Sequence, residues 1–439
     1  MKIAPYFLFF LFLIASVTIF GADSTLISGN EPLAPATDSL SAAATATISP
    51  DSASNFVYPI PAERKAKLIA YSRFNNIWRF AGFLISVAVF LIVLYTGLSG
   101  KFRDWAGKIS RRKFFVYLFY FLFLSIALFL LNFIPDYYRN FIVEHQYGFS
   151  NQTFGEWLGD NLKSLAISFI FGFFVILVLY WLINRFRKWW LYFAIGAIPF
   201  MVFVIIIWPV LISPMFNKYE PIKNIELRNQ MVALAEKAGI HNPDVYEVNA
   251  SKQSSKVNAY FTGMFGTKRI VLYDTAINNF TIDELKFIMG HEIGHFVMGH
   301  IWYGLILAIL LVGLAGYLAN KILPRIIRKN SRRFGFDRVG DMASFPLLML
   351  FITVFMFFAQ PITNGASRIM EYQSDKFGLE ISGVTGDEAA TAFDKLSVFN
   401  LSDPKPPALI EFWFYDHPAL QKRMDRVRNL YDQMKKTGV

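Results

Sequence analysis

Six apolar runs, at about 80–99, 114–134, 164–183, 190–212, 301–323 and 343–360, are each long enough to cross the hydrocarbon core of a bilayer, roughly 30 Å thick. Nothing else in the chain so narrows what it can fold into. Inside a bilayer every backbone N–H and C=O must be bonded within the chain, so runs of this kind form helices. A bundle of transmembrane helices is therefore expected, and the composition agrees: 54% of the 439 residues are hydrophobic and 47 are Phe, beyond what an ordinary soluble domain carries. The formal charge of +11, from 43 Lys and Arg against 32 Asp and Glu, does not point to nucleic acid. The basic residues gather in short loops between apolar runs, where they set membrane orientation. The partner they imply is the lipid bilayer, and no nucleic acid is expected. With no cysteine in the chain, disulfides, thiolate metal ligands and a thiol nucleophile are excluded.

The apolar runs divide the rest. Residues 1–22 read as a signal peptide or a first transmembrane helix, with an apolar stretch at 3–20 behind Lys2. Residues 23–57 are rich in Ser, Ala, Thr and Pro and read as a disordered linker. From Pro61 to Trp78 a basic, partly apolar stretch reads as an amphipathic helix lying on the membrane surface. Residues 58–212 form an N-terminal membrane domain with four spans, and 213–439 a second domain that includes the spans at about 301–323 and 343–360. Its two polar segments, 213–300 and 361–439, are separated by two spans, so both return to one side of the membrane and can build a single site. Loop charge gives the orientation. Lys101, Arg103, Lys108, Arg111, Arg112 and Lys113 fill one loop, Arg185, Arg187 and Lys188 the next, and Lys321, Arg325, Arg328, Lys329, Arg332, Arg333 and Arg338 a third. Those loops should be cytoplasmic and the polar segments should face away from the cytoplasm, although Arg64, Lys65, Lys67, Arg73 and Arg79 count the other way.

The first polar segment ends in His291-Glu292-Ile293-Gly294-His295. On a helix, residues four apart share a face, so both imidazoles can bind one metal ion while Glu292 reaches toward the water that the metal activates. This is the pattern of a zinc hydrolase, with one Zn2+ as cofactor; iron in a site of two histidines and a carboxylate is the alternative, and a glutamate beside the first ligand serves hydrolysis better. Such sites take three protein ligands. His300 is nine residues past His291, about 180° round a continuous helix, and should point away. The longer pattern H-E-x-x-H-x-x-G-x-x-H fails, since 298 is Met and 301 is Ile. Glu371 in the second polar segment is the best candidate, with Asp375 on the same helical face. Residues 256–262 and 269–273, joined by the turn at 263–268, read as a β-hairpin whose edge is either plain sheet or a place for an extended peptide. His417, followed by Pro418 and six residues before Arg423, offers a donor for an oxyanion.

Together these residues resemble the type I CaaX prenyl endopeptidase family, integral-membrane zinc metallopeptidases with a glutamate as third ligand. The likeness runs from about Arg64 to Arg428. It rests on Asn258-Ala-Tyr-Phe-Thr-Gly263, Arg269-Ile-Val-Leu-Tyr-Asp-Thr275, His291-Glu-Ile-Gly-His295, Ser367-Arg-x-x-Glu371-x-x-x-Asp375 and His417-Pro418, with Pro214-x-Phe216-Asn217 and Glu144-x-x-Tyr-Gly-Phe149 in support. The resemblance implies a mainly α fold, a polytopic bundle of six or seven spans with a zincin-type α/β catalytic domain built from the two polar segments. It implies His291, His295 and Glu371 as metal ligands, Glu292 as general base and Asp375 as a second catalytic or supporting carboxylate. It also implies that Asn258, with Ala259 beside it, binds substrate backbone, that His417 and Arg423 line the cleft, and that the spans enclose a chamber. The expected activity is zinc-dependent peptide-bond hydrolysis, with CaaX-type C-terminal processing implied by the likeness. The substrate would be a peptide or protein, prenylated or membrane-associated. Three features depart from the eukaryotic members: the signal-like start with the disordered segment 23–57 is not typical of them, Asp416-His417-Pro418-Ala419 replaces their more usual Thr-His-Pro-Pro, and a site facing away from the cytoplasm would not meet cytosolic prenylated proteins. A quality-control protease with the same chemistry, and a membrane transporter or scaffold with a structural metal, are the competing expectations.

Overall fold

The computed structural model describes residues 61–263 and 268–438. The stretches read as signal peptide or first span (1–22) and as linker (23–57) lie outside the described residues, as does part of the hairpin turn, 264–267. Among the described residues six helices are long and apolar enough to cross a membrane, at the places where the six apolar runs stand. Large side chains such as Leu84, Ile134, Phe174 and Leu310 face outward, as contact with lipid requires.

Helix α1 spans Ala62–Tyr95 without interruption, which corrects the expectation of a separate surface helix at 61–78. No glycine or proline breaks the stretch between Pro61 and Gly82. The apolar face that looked ready for lipid headgroups is covered by protein, with Leu68 and Tyr71 packed against Val143, Phe149 and Leu401. Arg64 donates to the Val398 carbonyl at 3.1 Å and Arg79 to that of Phe414 at 2.6 Å, so this end of α1 is bolted to the second polar segment. The helix stops at Gly97, whose φ of +66° suits glycine. A short α2 (Leu98–Ile109) follows, then α3 (Lys113–Tyr137), the single turn α4 (Val143–Gln146), α5 (Phe154–Arg185) and α6 (Trp189–Ile207). At the far end of the bundle Ser99 Oγ meets Tyr120 OH at 2.9 Å, and Tyr180 OH meets Ser344 Oγ at 2.8 Å. These contacts satisfy buried hydroxyls that hydrocarbon alone would strand.

The first polar segment folds as a small α/β unit. Strands β1 (Tyr219–Pro221), β2 (Asp244–Val248), β3 (Ala259–Thr262) and β4 (Arg269–Tyr273) form one sheet in the order β1-β2-β4-β3. The expected hairpin is present: β3 and β4 pair antiparallel, Ala259 opposite Leu272, and β3 is the sheet edge. β2 and β4 run parallel, a pairing between strands distant in sequence that the local alternation did not reveal. Helices α7 (Ile225–Lys237), α8 (Asp274–Asn279) and α9 (Ile282–Val297) complete the unit. Its core joins Met231, Val245, Val271, Phe287 and Ile293 to residues of the second polar segment such as Phe393 and Val427. Lys256, ahead of β3, is buried and reaches the membrane bundle, its Nζ 3.0 Å from Tyr71 OH and 3.3 Å from Glu144 Oε2. Tyr71 also donates to Glu144 at 2.7 Å.

Two long helices carry the chain across the membrane and back: α10 (His300–Phe334) and α11 (Phe345–Ser382). α11 continues through Pro361, so the residues expected on a new helix after that proline extend the sixth span itself. In a bundle, neighbours re-satisfy the one backbone bond a proline removes. Helices α12 (Gly386–Phe399), α13 (Ala408–Phe414) and α14 (Leu420–Thr437) close the chain over the sheet unit.

The crossing of α9 and α11 is held by small residues. A Cβ on Gly290 would lie 3.1 Å from the Gly378 Cα, and one on Gly378 would lie 2.8 Å from the His291 backbone nitrogen. Gly378→Ala should therefore wedge the two helices apart and cost about 1–3 kcal/mol, the usual penalty of overpacking. Thermal unfolding in detergent checks this against Gly365→Ala, whose methyl would meet only the Arg368 side chain at 3.8 Å and should leave the melting temperature close to that of the unaltered protein.

Candidate metal centre and active site

Helix α9 is defined by its ends. Thr281 and Glu284 form a capping box, with the Thr281 N–H donating to Glu284 at 2.7 Å and the Glu284 N–H to Thr281 Oγ1 at 3.2 Å. Lys395 fixes Glu284 further at 2.8 Å. The helix ends where Gly299 takes a φ of +68°. Phe287, Met289 and Ile293 anchor it in the core, and Phe296 lies 5.0 Å from the Phe261 ring on the edge strand. Gly290 and Gly294 face α11. His291 and His295 follow each of these glycines and share the buried face.

Their Nε2 atoms converge. His291 Nε2 and His295 Nε2 are 3.1 Å apart, and Glu371 presents Oε2 at 3.3 Å from the first and Oε1 at 3.1 Å from the second. All three side chains are buried. Glu371 Oε2 has His291 Nε2 and Arg423 Nη1 at 3.3 and 3.2 Å, yet neither makes a properly directed hydrogen bond to it. Ligand atoms about 2.0–2.1 Å from one tetrahedral ion stand about 3.3 Å from each other. The spacing, the buried acceptor and the nitrogen and oxygen donors thus fit a metal ion, and the two-span return predicted from parity does bring Glu371 to the histidines.

Around this trio each imidazole has a partner on its other nitrogen. His291 Nδ1 lies 2.9 Å from Asp375 Oδ1. Asp375 is gripped by Arg423, with Nε to Oδ2 at 3.0 Å and Nη2 to Oδ1 at 2.6 Å, and the guanidinium sits 4.3 Å over the Phe393 ring. Asp375 therefore braces the outer nitrogen of His291. His417 Nε2 comes within 3.2 Å of Glu371 Oε1, while Asp416 Oδ1 accepts from its Nδ1 at 3.0 Å. His417 thus brings one ring nitrogen to Glu371 and the other to Asp416. Asn258 and Ala259 open the edge strand and share a cleft with His291, Glu292, Phe393 and Arg423. Every site residue expected from the sequence lies at this one place.

His300 corrects the sequence reading. A nine-residue offset means the opposite face only on a continuous helix, and α9 stops before Gly299. His300 Nδ1 ends 2.9 Å from His295 Nδ1 and its Nε2 is 3.0 Å from Gln373 Oε1. The signal available in the sequence was Gly299 itself, a residue suited to ending a helix.

In the metal-free protein, burial alone would push the His291 imidazole down. The charge of Glu371 and the hydrogen bonds to Asp375 and Glu371 outweigh it and raise the value to about 9. Burial holds His295 below its ordinary value despite Glu371, and although burial opposes the charge on Arg423, Asp375 and Glu371 keep it firmly protonated. Because the folded-state value of His291 lies above the ordinary 6.5, its proton stabilises the metal-free fold fully below about pH 6.5, and that contribution is lost as pH rises through about 9. The melting temperature of metal-free protein should fall across this window, and His291→Gln should flatten the slope; calorimetry at a series of pH values measures both.

The chain matches the sequence model of peptidase family M48 over residues 221–431 and that of the CAAX prenyl protease N-terminal region, described with five membrane helices, over residues 45–218. It is 36% identical to the uncharacterized metalloprotease YhfN of Bacillus subtilis, over 81% of this chain and 83% of that one. It is 30% identical to CAAX prenyl protease 1 of Saccharomyces cerevisiae, over 66% of this chain and 67% of that one. The fold is also that of the S. mikatae Ste24p crystal structure, with a TM-score of 0.74 at 24% identity, covering 97% of this chain and 98% of that one.

Proposed function

The chain belongs to peptidase family M48, and from that premise we propose which residues of this multi-pass membrane metalloendopeptidase do its chemistry, which ion they hold and which peptides they cut. His291, His295 and Glu371 hold one zinc ion. The observation that carries this is the convergence of their buried donor atoms at 3.1–3.3 Å. Zinc in that position supplies a Lewis acid that polarises a carbonyl and acidifies water at neutral pH.

The remaining steps belong to side chains. Asn258, just ahead of β3, and Ala259, the first residue of that outer strand, hold the substrate backbone as an added strand. Glu292 takes a proton from the attacking water as the oxygen bonds to the carbonyl carbon, and delivers it to the amine nitrogen as the C–N bond breaks. His417, protonated on Nε2 and held by Asp416, donates to the oxyanion that develops between those events. Arg423 and Asp375 keep His291 oriented. Membership of a peptidase family leaves no place for the expectation of a non-enzymatic transporter.

For substrate we propose C-terminal processing of a CaaX-type peptide attached to the membrane. Its support is the kinship with CAAX prenyl protease 1 over 66% of this chain. Quality control of exported or membrane proteins is the second reading, favoured by charge. The basic loops lie at the opposite end of the bundle from the site. The basic residues of α1 that seemed to oppose this orientation are partly spent on the protein, with Arg64 and Arg79 on carbonyls of the catalytic domain and Lys67 paired with Glu63. The site then faces away from the cytoplasm.

Glu292→Gln should lower cleavage by about 10²–10⁴-fold, the usual contribution of a general base, while retaining one zinc per chain by elemental analysis. Full activity with metal bound would overturn the assignment. Measured on a farnesylated CaaX peptide and on the same peptide unmodified, the unaltered enzyme should prefer the former; equal rates would favour quality control. Sidedness has a direct test because the chain lacks cysteine. With Glu236→Cys on the catalytic side and Lys108→Cys on the other, an impermeant maleimide applied outside intact cells should label only the first, and labelling of only the second would reverse the orientation.

A further inference from the structure

We propose that His300 is a positioning residue that sets which nitrogen of His295 faces the metal, through a directed hydrogen-bond chain ending on Gln373. The inference rests on the ligand reading above and adds a residue to it. His300 is 2% exposed, and both of its ring nitrogens are engaged, Nδ1 with His295 Nδ1 at 2.9 Å and Nε2 with Gln373 Oε1 at 3.0 Å. Ser374 Oγ stands 3.5 Å from the same Nδ1 and is too distant to replace the imidazole partner.

Two nitrogens at 2.9 Å share one proton, so the chain has a direction. When His295 offers its Nε2 lone pair toward His291 and Glu371, its proton is on Nδ1 and His300 Nδ1 accepts it. The His300 proton is then on Nε2, and it must find an acceptor, which Gln373 Oε1 is. If the Gln373 amide turned and donated instead, every proton in the chain would reverse, and His295 Nε2 would carry a hydrogen into the site and could no longer be a ligand. The outer partner of a metal-bound histidine fixes its tautomer and ring orientation in this way. His291 has a carboxylate in that role and His295 has this neutral relay. Gln373 reaches the wall of an open cavity with Met298, Tyr303 and Lys376, so the relay ends within reach of anything that enters there.

The test is zinc affinity, read by competition with a chelator on the purified full-length protein. His300→Phe keeps the ring and removes the acceptor; it should weaken zinc binding by about 10–100-fold. Its zinc affinity should fall even well below the melting temperature of the metal-free variant, whereas a merely structural role would lower that temperature and leave the affinity of the folded protein unchanged. Gln373→Met removes only the last acceptor and should weaken binding by a smaller factor, with a shift in the visible absorption bands of the cobalt-loaded protein. His295→Ala is the reference. If it keeps its zinc, the ligand reading itself fails. If it loses zinc while His300→Phe binds as tightly as the unaltered protein, the positioning role alone fails. Should His300→Phe not fold, Gln373→Met decides, and an affinity within twofold of the unaltered protein together with unshifted cobalt bands overturns the proposal.

Discussion

The distance between two helix backbones governs the rest of the structure. α9 and α11 touch through Gly290, Gly294 and Gly378, where a Cβ on any one would fall 2.8–3.1 Å from an atom of the facing helix. Helical spacing then does the work. On α9 the glycines at 290 and 294 precede the histidines at 291 and 295, and on α11 Glu371, Ser374, Asp375 and Gly378 share the opposing stripe. Contact through glycine brings the two stripes close enough for short side chains to meet. A glutamate can then reach both imidazoles, and an aspartate can reach the outer nitrogen of one. With ordinary side chains at the crossing the helices would sit farther apart, near the usual 8–10 Å axis separation or beyond, and Glu371 would no longer reach.

That closeness gathers charges that water would otherwise separate. Glu371 and Asp375 are buried beside the histidines, and a buried anion is costly without compensation. Arg423 is the compensation. Its planar fork meets Asp375 with two nitrogens and Glu371 with the third, a geometry that a lysine could not reproduce. A single pattern runs through the three histidines of the centre. Each turns Nδ1 outward, to Asp375, His300 or Asp416, and each brings Nε2 to the middle. The outer partners differ in charge, so the three imidazoles are biased differently while sharing one orientation.

Much of this is legible in the sequence. The apolar runs gave the spans, and H-E-x-x-H gave the helix face. Parity gave the return of Glu371, which is the step with the longest reach in sequence, 76 residues past His295 by numbering. The illegible parts share one cause, the assumption that local pattern continues. His300 was set aside by extending a helix through Gly299. Residues 61–78 looked like a surface helix because the protein that covers their apolar face, around Leu401, lies more than three hundred residues away. Pro361 looked like a boundary because a proline is a poor interior residue for an isolated helix, though a packed bundle tolerates it. The parallel pairing of β2 with β4 leaves no periodic trace, since period two is the same for either direction.

The continuity of α11 has a further physical meaning. Glu371 lies ten residues beyond Pro361 on an unbroken helix, a rise of about 15 Å at 1.5 Å per residue. On α10, the membrane-spanning helix begins at His300, which touches His295 directly. Glu371 is therefore carried on a membrane-spanning helix itself, and His295 is joined to the start of another through the short turn at Met298 and Gly299. Lys256, just before the edge strand, is likewise buried against Tyr71 and Glu144 of the bundle, so the strand proposed to align a substrate is fixed to the same frame as the histidines and Glu371.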